Sequence, residues 1–222
     1  MYRSKDQVAF CEAGIGDLND TAGNYNLFMQ CDEINKTAFR MLPDGYSFRL
    51  CMRDELEIWK RVVAEEQHVG YVSEYYEKVY KEREDEFFRR CLFVCDTEGK
   101  PVASTFIWRS YGAINTVGWF RVLPEYEGKG IGRAILSEAL RNTEFPVYLH
   151  TQPTSARAIK LYAGFGFKLV TDPVVGFRNN DLKVSWTYLK KVLPAADFAN
   201  LRFTEANKEL LRAAMTNETS EF

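Results

Sequence analysis

No stretch of this chain approaches the roughly 20 consecutive apolar residues that a membrane-crossing helix needs, so no spanning segment and no membrane partner are expected. The first residues, Met1 to Gln7, are charged and lack an apolar core, and no secretory leader is expected there. Charge of one sign is not in surplus either: 29 lysines and arginines face 31 acids, for a formal net charge of −2. A general nucleic-acid binder usually carries a basic excess to neutralise phosphates, so that class is disfavoured. Internal repeats, low-complexity tracts and long charge blocks are also missing, which leaves no visible linker. The five cysteines, Cys11, Cys31, Cys51, Cys91 and Cys95, are an odd and scattered set. Cys91 and Cys95 stand four apart in a strand-like segment, with no second pair and no nearby histidine to complete a zinc site. No metal is expected, and reduced, mostly buried thiols in a cytoplasmic protein are.

What is present is an ordinary globular composition, 46% hydrophobic and 27% charged over 222 residues, enough for one buried domain with extensions. The opening stretch reads poorly: a short strand at Tyr25–Met29, a short helix at Asp32–Phe39 and a turn at Pro43–Gly45. From Tyr46 the pattern is regular. Tyr46–Cys51 alternates as a strand does, and Asp54 is placed to cap a helix whose Leu56, Trp59, Val62 and Val63 share a face. A second helix fits Ser73–Glu84. Cys91–Cys95 and Val102–Trp108 read as a hairpin around Asp96–Lys100, and Ala113–Val122 as the next strand.

The character then changes. Strand 113–122, a glycine-rich turn, helix 131–141 and strand Val147–Thr151 form one βαβ crossover of about the minimum length. A helix at Ser155–Ala163 with Gly164 as its stop, a strand at Phe165–Val170, a shorter one at Val174–Phe177, and helices at Trp186–Val192 and Glu205–Met215 complete the chain. The expected fold class is α/β (α+β): a mixed, mostly antiparallel sheet with flanking helices and a single crossover.

The turn Glu127-Gly128-Lys129-Gly130-Ile131-Gly132-Arg133 is the most informative segment. Each glycine near a helix start costs about 0.5–1 kcal/mol relative to alanine, so three of them imply a task. They let backbone N–H groups approach a ligand, and the helix dipole favours negative charge there. A diphosphate suits such a turn. The dinucleotide fingerprint fails, because its sixth position counted from Gly128 is Arg133, and the Gly-Lys-Ser/Thr of a P-loop is absent. Lys129, Arg133, Arg157 and Lys160 form a basic cluster on or beside the flanking helices.

Val122 to Gly132 resembles the acetyl-coenzyme A signature of the GNAT N-acetyltransferase superfamily, Gln/Arg-x-x-Gly-x-Gly/Ala, with Glu127, Gly130 and Gly132 on its set positions. Ser155-Ala-Arg-Ala-Ile-Lys-Leu-Tyr162-Ala-Gly-Phe-Gly-Phe167 resembles the family's second pattern, Asn-x-x-Ala-x-x-x-Tyr-x-x-x-Gly-Phe. Glu127 and Ser155 depart from the preferred residues. The resemblance implies a GNAT-like domain over about 45–192, flanked by 1–44 and 193–222, which could form a dimer interface or a lid.

It further implies an acyltransferase that passes an acetyl group from acetyl-CoA directly to an amine acceptor, without a covalent enzyme intermediate. The backbone of Phe120, Arg121 and Val122 would pair with the carrier's amides. Glu127, Gly128, Lys129, Gly130, Ile131, Gly132, Arg133, Ser155 and Arg157 would surround its phosphates, and Tyr162 would protonate the departing sulfur. His150, at the end of strand 147–151, is a candidate base beside a water chain or a carboxylate such as Glu86. Trp59, Tyr71, Tyr75, Tyr76, Trp108 and Trp119 are divided between the core and an aromatic acceptor pocket. A non-catalytic acyl-CoA-binding sensor or interaction module of the same fold is the alternative.

Overall fold

The computed structural model describes residues 25–216 and 220–222; Met1 to Gln7 and Cys11 lie outside the described residues. Strands β1 (Leu27–Cys31), β2 (Ser47–Leu50), β3 (Leu92–Cys95), β4 (Pro101–Ser110), β5 (Ile114–Val122), β6 (Val147–Thr151) and β7 (Lys168–Val170) build the main sheet. Strands β8 (Val174–Val175) and β9 (Arg178–Asn179) form a separate hairpin, and β10 (Phe203–Thr204) closes one edge of the main sheet. The order across that sheet is β10-β7-β1-β6-β5-β4-β3-β2. Only β5–β6 and β7–β10 are parallel, so the sheet is mixed and mostly antiparallel.

Strand β1 changes the reading of the first 44 residues. It lies between β6 and β7, pairing Leu27 with Thr151 through Cys31 with Val147, and all five of its residues are buried. A strand covered on both faces loses the alternation that marks a half-exposed one, which is why its ends shifted by two residues from Tyr25–Met29. Its polar member, Gln30, is satisfied: the side chain donates to Asp32 and accepts from the Asn207 N–H. The helix expected over Asp32–Phe39 is a single 3-10 turn at Lys36–Ala38. Asn35 diverts the segment, its N–H donating to the Phe165 carbonyl and its side chain to that of Gly164.

Helices α1 (Leu56–Val63), α2 (Val69–Tyr75) and α3 (Glu84–Arg90) cover one face, burying Trp59, Tyr76, Tyr80 and Phe87 against Phe106 and Trp108. The other face carries α4 (Ile131–Leu140), α5 (Ala156–Phe165) and α6 (Leu182–Val192) over Met29, Val147 and Leu149. After α7 (Ala195–Ala199), α8 (Lys208–Met215) packs Leu210 and Ala213 onto Phe28 and Tyr148. Phe28 and Met29 therefore point to opposite faces, as neighbours on a strand must.

Several local expectations are corrected. Asp54 caps nothing: it sits in a 3-10 turn, Arg53–Glu55, and Glu55 accepts the Met52 N–H at 2.9 Å while chelated by Arg49. The helix expected at Ser73–Glu84 is interrupted by a π turn at Tyr76–Tyr80 and a 3-10 turn at Lys81–Arg83. Tyr76, Val79 and Tyr80 are buried across this turn, on the face that their i, i+3, i+4 spacing predicts. Helix α5 runs through Gly164 and stops at Gly166, whose φ of +102° supplies the left-handed cap. Phe165 thus belongs to the helix, and the following strand is shorter than expected.

Cys31, Cys51, Cys91 and Cys95 are buried and unpaired, and burial pushes the Cys31 thiol up to about 12. Among the described residues no cluster suited to a metal occurs, and no helix is long and apolar enough to cross a membrane.

Candidate active site

The site arises where two neighbouring strands part. Strands β5 and β6 are paired at Asn115–Val147 and Thr116–Tyr148, and the ladder stops there. Beyond Thr116, β5 keeps β4 on one side and, among the described residues, has no strand on the other, so its backbone polar groups along that edge are left for another partner. A β-bulge sharpens the divergence: from Ser104–Arg121 to Phe106–Gly118, β4 advances two residues while β5 advances three. The extra residue falls beside Trp119, whose φ of +45° is rare for a bulky side chain and costs about 1–3 kcal/mol. Its indole N–H donates to the Tyr80 hydroxyl at 2.9 Å, and the Thr105 hydroxyl donates to the Gly118 carbonyl at 3.1 Å; both hold the bulge.

The opening is a cleft of about 850 Å³, within the range of small-molecule sites. Its walls include Thr116–Phe120 from β5, His150 and Thr151 from β6, Ser155, Ala158 and Tyr162 from the start and body of α5, and Tyr71, Tyr75 and Tyr80 from the helical face. Of the catalytic and carrier-binding residues singled out from sequence, it brings together Phe120, His150, Ser155 and Tyr162. Arg121, Val122, the Glu127–Arg133 turn and Arg157 are outside its wall. The turn still adjoins it: a Cβ on Gly132 would meet the Phe120 ring at 3.2 Å and Leu161 at 3.7 Å. Gly132 therefore serves close packing of α4 on β5, whereas Gly128 and Gly130 serve backbone shape, with φ of +76° and +86°.

The turn fits a diphosphate. The N–H groups of Gly128, Lys129 and Gly130 donate to nothing among the described residues, and those of the first turn of α4 are open by construction. The basic cluster is divided. Lys129 lies 4.8 Å from the Tyr126 ring centre and Arg133 reaches the Ala38 carbonyl at 3.5 Å, and among the described residues neither pairs with a carboxylate. Lys160 is paired with Asp197 at 2.7 Å, away from the role expected of it. Arg157 is paired with Glu127 at 2.5 Å, so the carboxylate at the odd position of the turn engages a cation of α5.

Tyr162 is 6% exposed, its ring edge-on to Phe120 at 5.7 Å, and burial raises its phenol pKa well above the usual value. His150 Nε2 lies 2.9 Å from the Asn26 side-chain oxygen; an amide oxygen only accepts, so Nε2 carries the proton and Nδ1 the lone pair. Burial, with the nearby Arg178 charge, pushes the imidazole down to about 3, and it is neutral at physiological pH. Glu86 is outside the cleft wall, held between Arg83 and Arg90; burial opposes its ionisation, but the two arginines outweigh it and keep the carboxyl below its ordinary range. The aromatics separate: Trp59, Tyr76 and Trp108 are core, while Tyr71, Tyr75 and Trp119 line the cleft.

Sequence reasoning missed Asn26, Arg178 and the tail Ser220–Phe222, all of which line this cleft. They come from short or aperiodic segments, and their only signal is tertiary.

Residues 50–167 match the model of the acetyltransferase (GNAT) family, more than half of the 222-residue chain. The chain belongs to that family, whose shared chemistry is acyl transfer. No curated protein matches it. Similar solved structures include a GCN5-related N-acetyltransferase from Sphaerobacter thermophilus, with 18% identity, a TM-score of 0.43, and coverage of 57% of this chain and 42% of that one. A GNAT-family acetyltransferase from Colwellia psychrerythraea has 15% identity and a TM-score of 0.47, covering 65% and 52%. A tandem GNAT protein from the clavulanic acid biosynthesis pathway has 16% identity and a TM-score of 0.49, covering 64% and 49%. The shared region spans about half the length of these solved chains.

Proposed function

We propose that this protein transfers an acetyl group from acetyl-CoA directly to an amine acceptor in the cleft between β5 and β6. The observation that carries this reading is the parting of those strands after Thr116–Tyr148 beside a glycine turn with undirected N–H groups. Bound there, the acyl thioester supplies an activated carbonyl and a thiol leaving group.

The open edge of β5 at Phe120, Arg121 and Val122 receives the carrier's amides in place of a neighbouring strand. The N–H groups of Gly128, Lys129 and Gly130, together with the positive end of α4, hold the diphosphate, and Lys129 and Arg133 add charge. Ser155 and Arg157 border the same carrier. Tyr162 is kept protonated by burial and donates a hydrogen bond to the sulfur as that atom gains charge. A free thiol has a pKa of about 8.5, so this modest help suffices. His150, neutral throughout, offers Nδ1 to the acceptor's N–H, and the displaced proton passes through water toward the departing sulfur. The N–C bond forms as the C–S bond breaks, and one N–H proton ends on the thiol. The buried thiols Cys31, Cys51, Cys91 and Cys95 fit a reducing cytoplasm.

Calorimetric titration with acetyl-CoA, followed by thiol release against a panel of amines, tests the reading. Binding and amine-dependent release are expected. Tyr162→Phe should lower turnover by about 10²–10⁴-fold, the usual worth of a positioned acid, with carrier affinity nearly intact. Binding without release by any amine would make the protein a carrier-binding module, and no binding to any acyl-CoA would remove both.

A further inference from the structure

The residues Ser220, Glu221 and Phe222 stand in the wall of the cleft, and two separate elements hold them there. The turn between β4 and β5 grips Glu221. The Glu221 carboxylate accepts the Tyr111 N–H at 2.7 Å, and the Glu221 N–H donates to the Tyr111 hydroxyl at 3.1 Å. The Ser110 hydroxyl donates to the Glu221 carbonyl at 3.3 Å. Phe222 is gripped by Arg178 on β9, whose Nη2 donates to a main-chain oxygen of Phe222. The same guanidinium lies 4.8 Å from the ring centre of Phe28 and 5.5 Å from that of Phe222. Arg178 is itself well placed, because the β8–β9 hairpin is pressed on α8: a Cβ on Gly176 would lie 2.6 Å from the Ala214 carbonyl oxygen. A segment bonded through its main chain at two successive residues is a wall rather than a loose end.

The Phe222 ring gives that wall an apolar surface. It packs edge-on against Phe28 at 6.1 Å and Tyr111 at 6.2 Å, and Phe28 in turn lies 5.2 Å from the His150 ring. Phe222 is thus one ring removed from the imidazole. It also stands on the side of the sheet away from the glycine turn. Tyr162 packs with α4 and α5 on the Met29 face, whereas Phe222 packs with α8 on the Phe28 face. A carrier seated on the glycine turn enters the cleft from the first face. The mouth left to the acceptor is the second, which Phe222 borders.

We propose that Phe222 is a specificity-determining residue: its ring ends the acceptor half of the cleft and limits the length of the apolar body that an amine acceptor can carry. This rests on the acyl-transfer reading above. An amine that reaches His150 extends its body toward the Phe222 ring, and a longer body must displace a ring tied down by Arg178 and by the bonds of Glu221. One methylene more or less in an apolar pocket is worth about 10–200-fold in kcat/KM, so an unyielding wall sets a sharp limit on length.

A series of straight-chain primary amines, butylamine to decylamine, at saturating acetyl-CoA provides the test. With the native protein kcat/KM should rise with length as apolar surface is buried, then fall beyond one length. Phe222→Ala should move that break to a longer amine and raise the decylamine-to-butylamine ratio of kcat/KM by about tenfold or more. Phe222→Leu should fall between the two, and Phe222→Trp should move the break to a shorter amine. Retained acetyl-CoA affinity checks that each variant is folded. A native series with no break, a break at the same length in Phe222→Ala, or a variant that changes every amine by one common factor would overturn the assignment. Binding of the same amines to the CoA-loaded protein, followed by NMR, reads the wall without turnover. If no amine releases thiol but long amines bind Phe222→Ala more tightly than the native protein, the transfer reading fails and the length limit stands. The same length dependence in both proteins, or no binding to either, removes it.

Discussion

His150 shows how one side chain couples the site to stability. Its ring is hydrogen-bonded to Asn26, tilted at 39° to the Phe28 ring with centres 5.2 Å apart, and its pKa falls from 6.5 to about 3 on folding. Between those values the unfolded chain binds a proton that the folded chain refuses. Stability is therefore full above about pH 6.5 and declines as pH falls toward 3, by up to about 1.4 kcal/mol per pH unit from this group. His150→Asn should flatten that part of the urea-unfolding profile between pH 6 and pH 4 relative to the native chain. Parallel profiles for the two proteins would show that the imidazole is not held neutral. Tyr162 and His150 were both legible as candidates from sequence, one by its motif and one by its place at a strand end. Asn26 and Arg178 were not, because partners 124 and 44 residues away along the chain leave no local pattern.

At the scale of elements, the two motifs act through each other. Glu127 in the turn and Arg157 near the start of α5 are paired at 2.5 Å, with side chains 42% and 90% exposed, so the pair itself adds little to stability. Its consequence is for charge: a cation beside the glycine turn is occupied by the chain's own carboxylate. Glu127→Gln should free Arg157 and tighten acetyl-CoA binding several-fold at low salt, with the gain shrinking as ionic strength rises. An unchanged dissociation constant at low salt would mean that Arg157 does not reach the carrier. The bulge in β5 belongs to this scale as well. Gly118 is the residue it requires: a Cβ there would lie 2.9 Å from the Phe106 ring. The strand was legible, but the extra residue was not, since a bulge shows only when β4 is laid alongside.

For the molecule as a whole, the family match over 50–167 is narrower than the folded unit. Strand β1 supplies five buried residues at the centre of the sheet, joining β6 to β7, and α8 packs on its other neighbours. A chain beginning at residue 45 retains every motif but exposes one edge of β6 and of β7. It should lose the cooperative thermal transition and acetyl-CoA binding together. A sharp transition with native affinity would show that β1 is dispensable. The tail is tied in similarly, with Glu221 bonded to Tyr111 across 110 positions of sequence and Phe222 packed on Phe28.

The sequence by itself determined the crossover, the glycine turn and Tyr162, because each depends on spacing within one short segment: a period, a left-handed backbone position, a residue one turn further along a helix. The tertiary structure alone decided that β1 lies inside the sheet, that β5 and β6 part at Thr116, and that Arg178 and Phe222 face the cleft. Those outcomes depend on which distant segments compete for the same edge or cavity. That competition is resolved by burial and by satisfying backbone groups across the whole fold, and no local pattern records it.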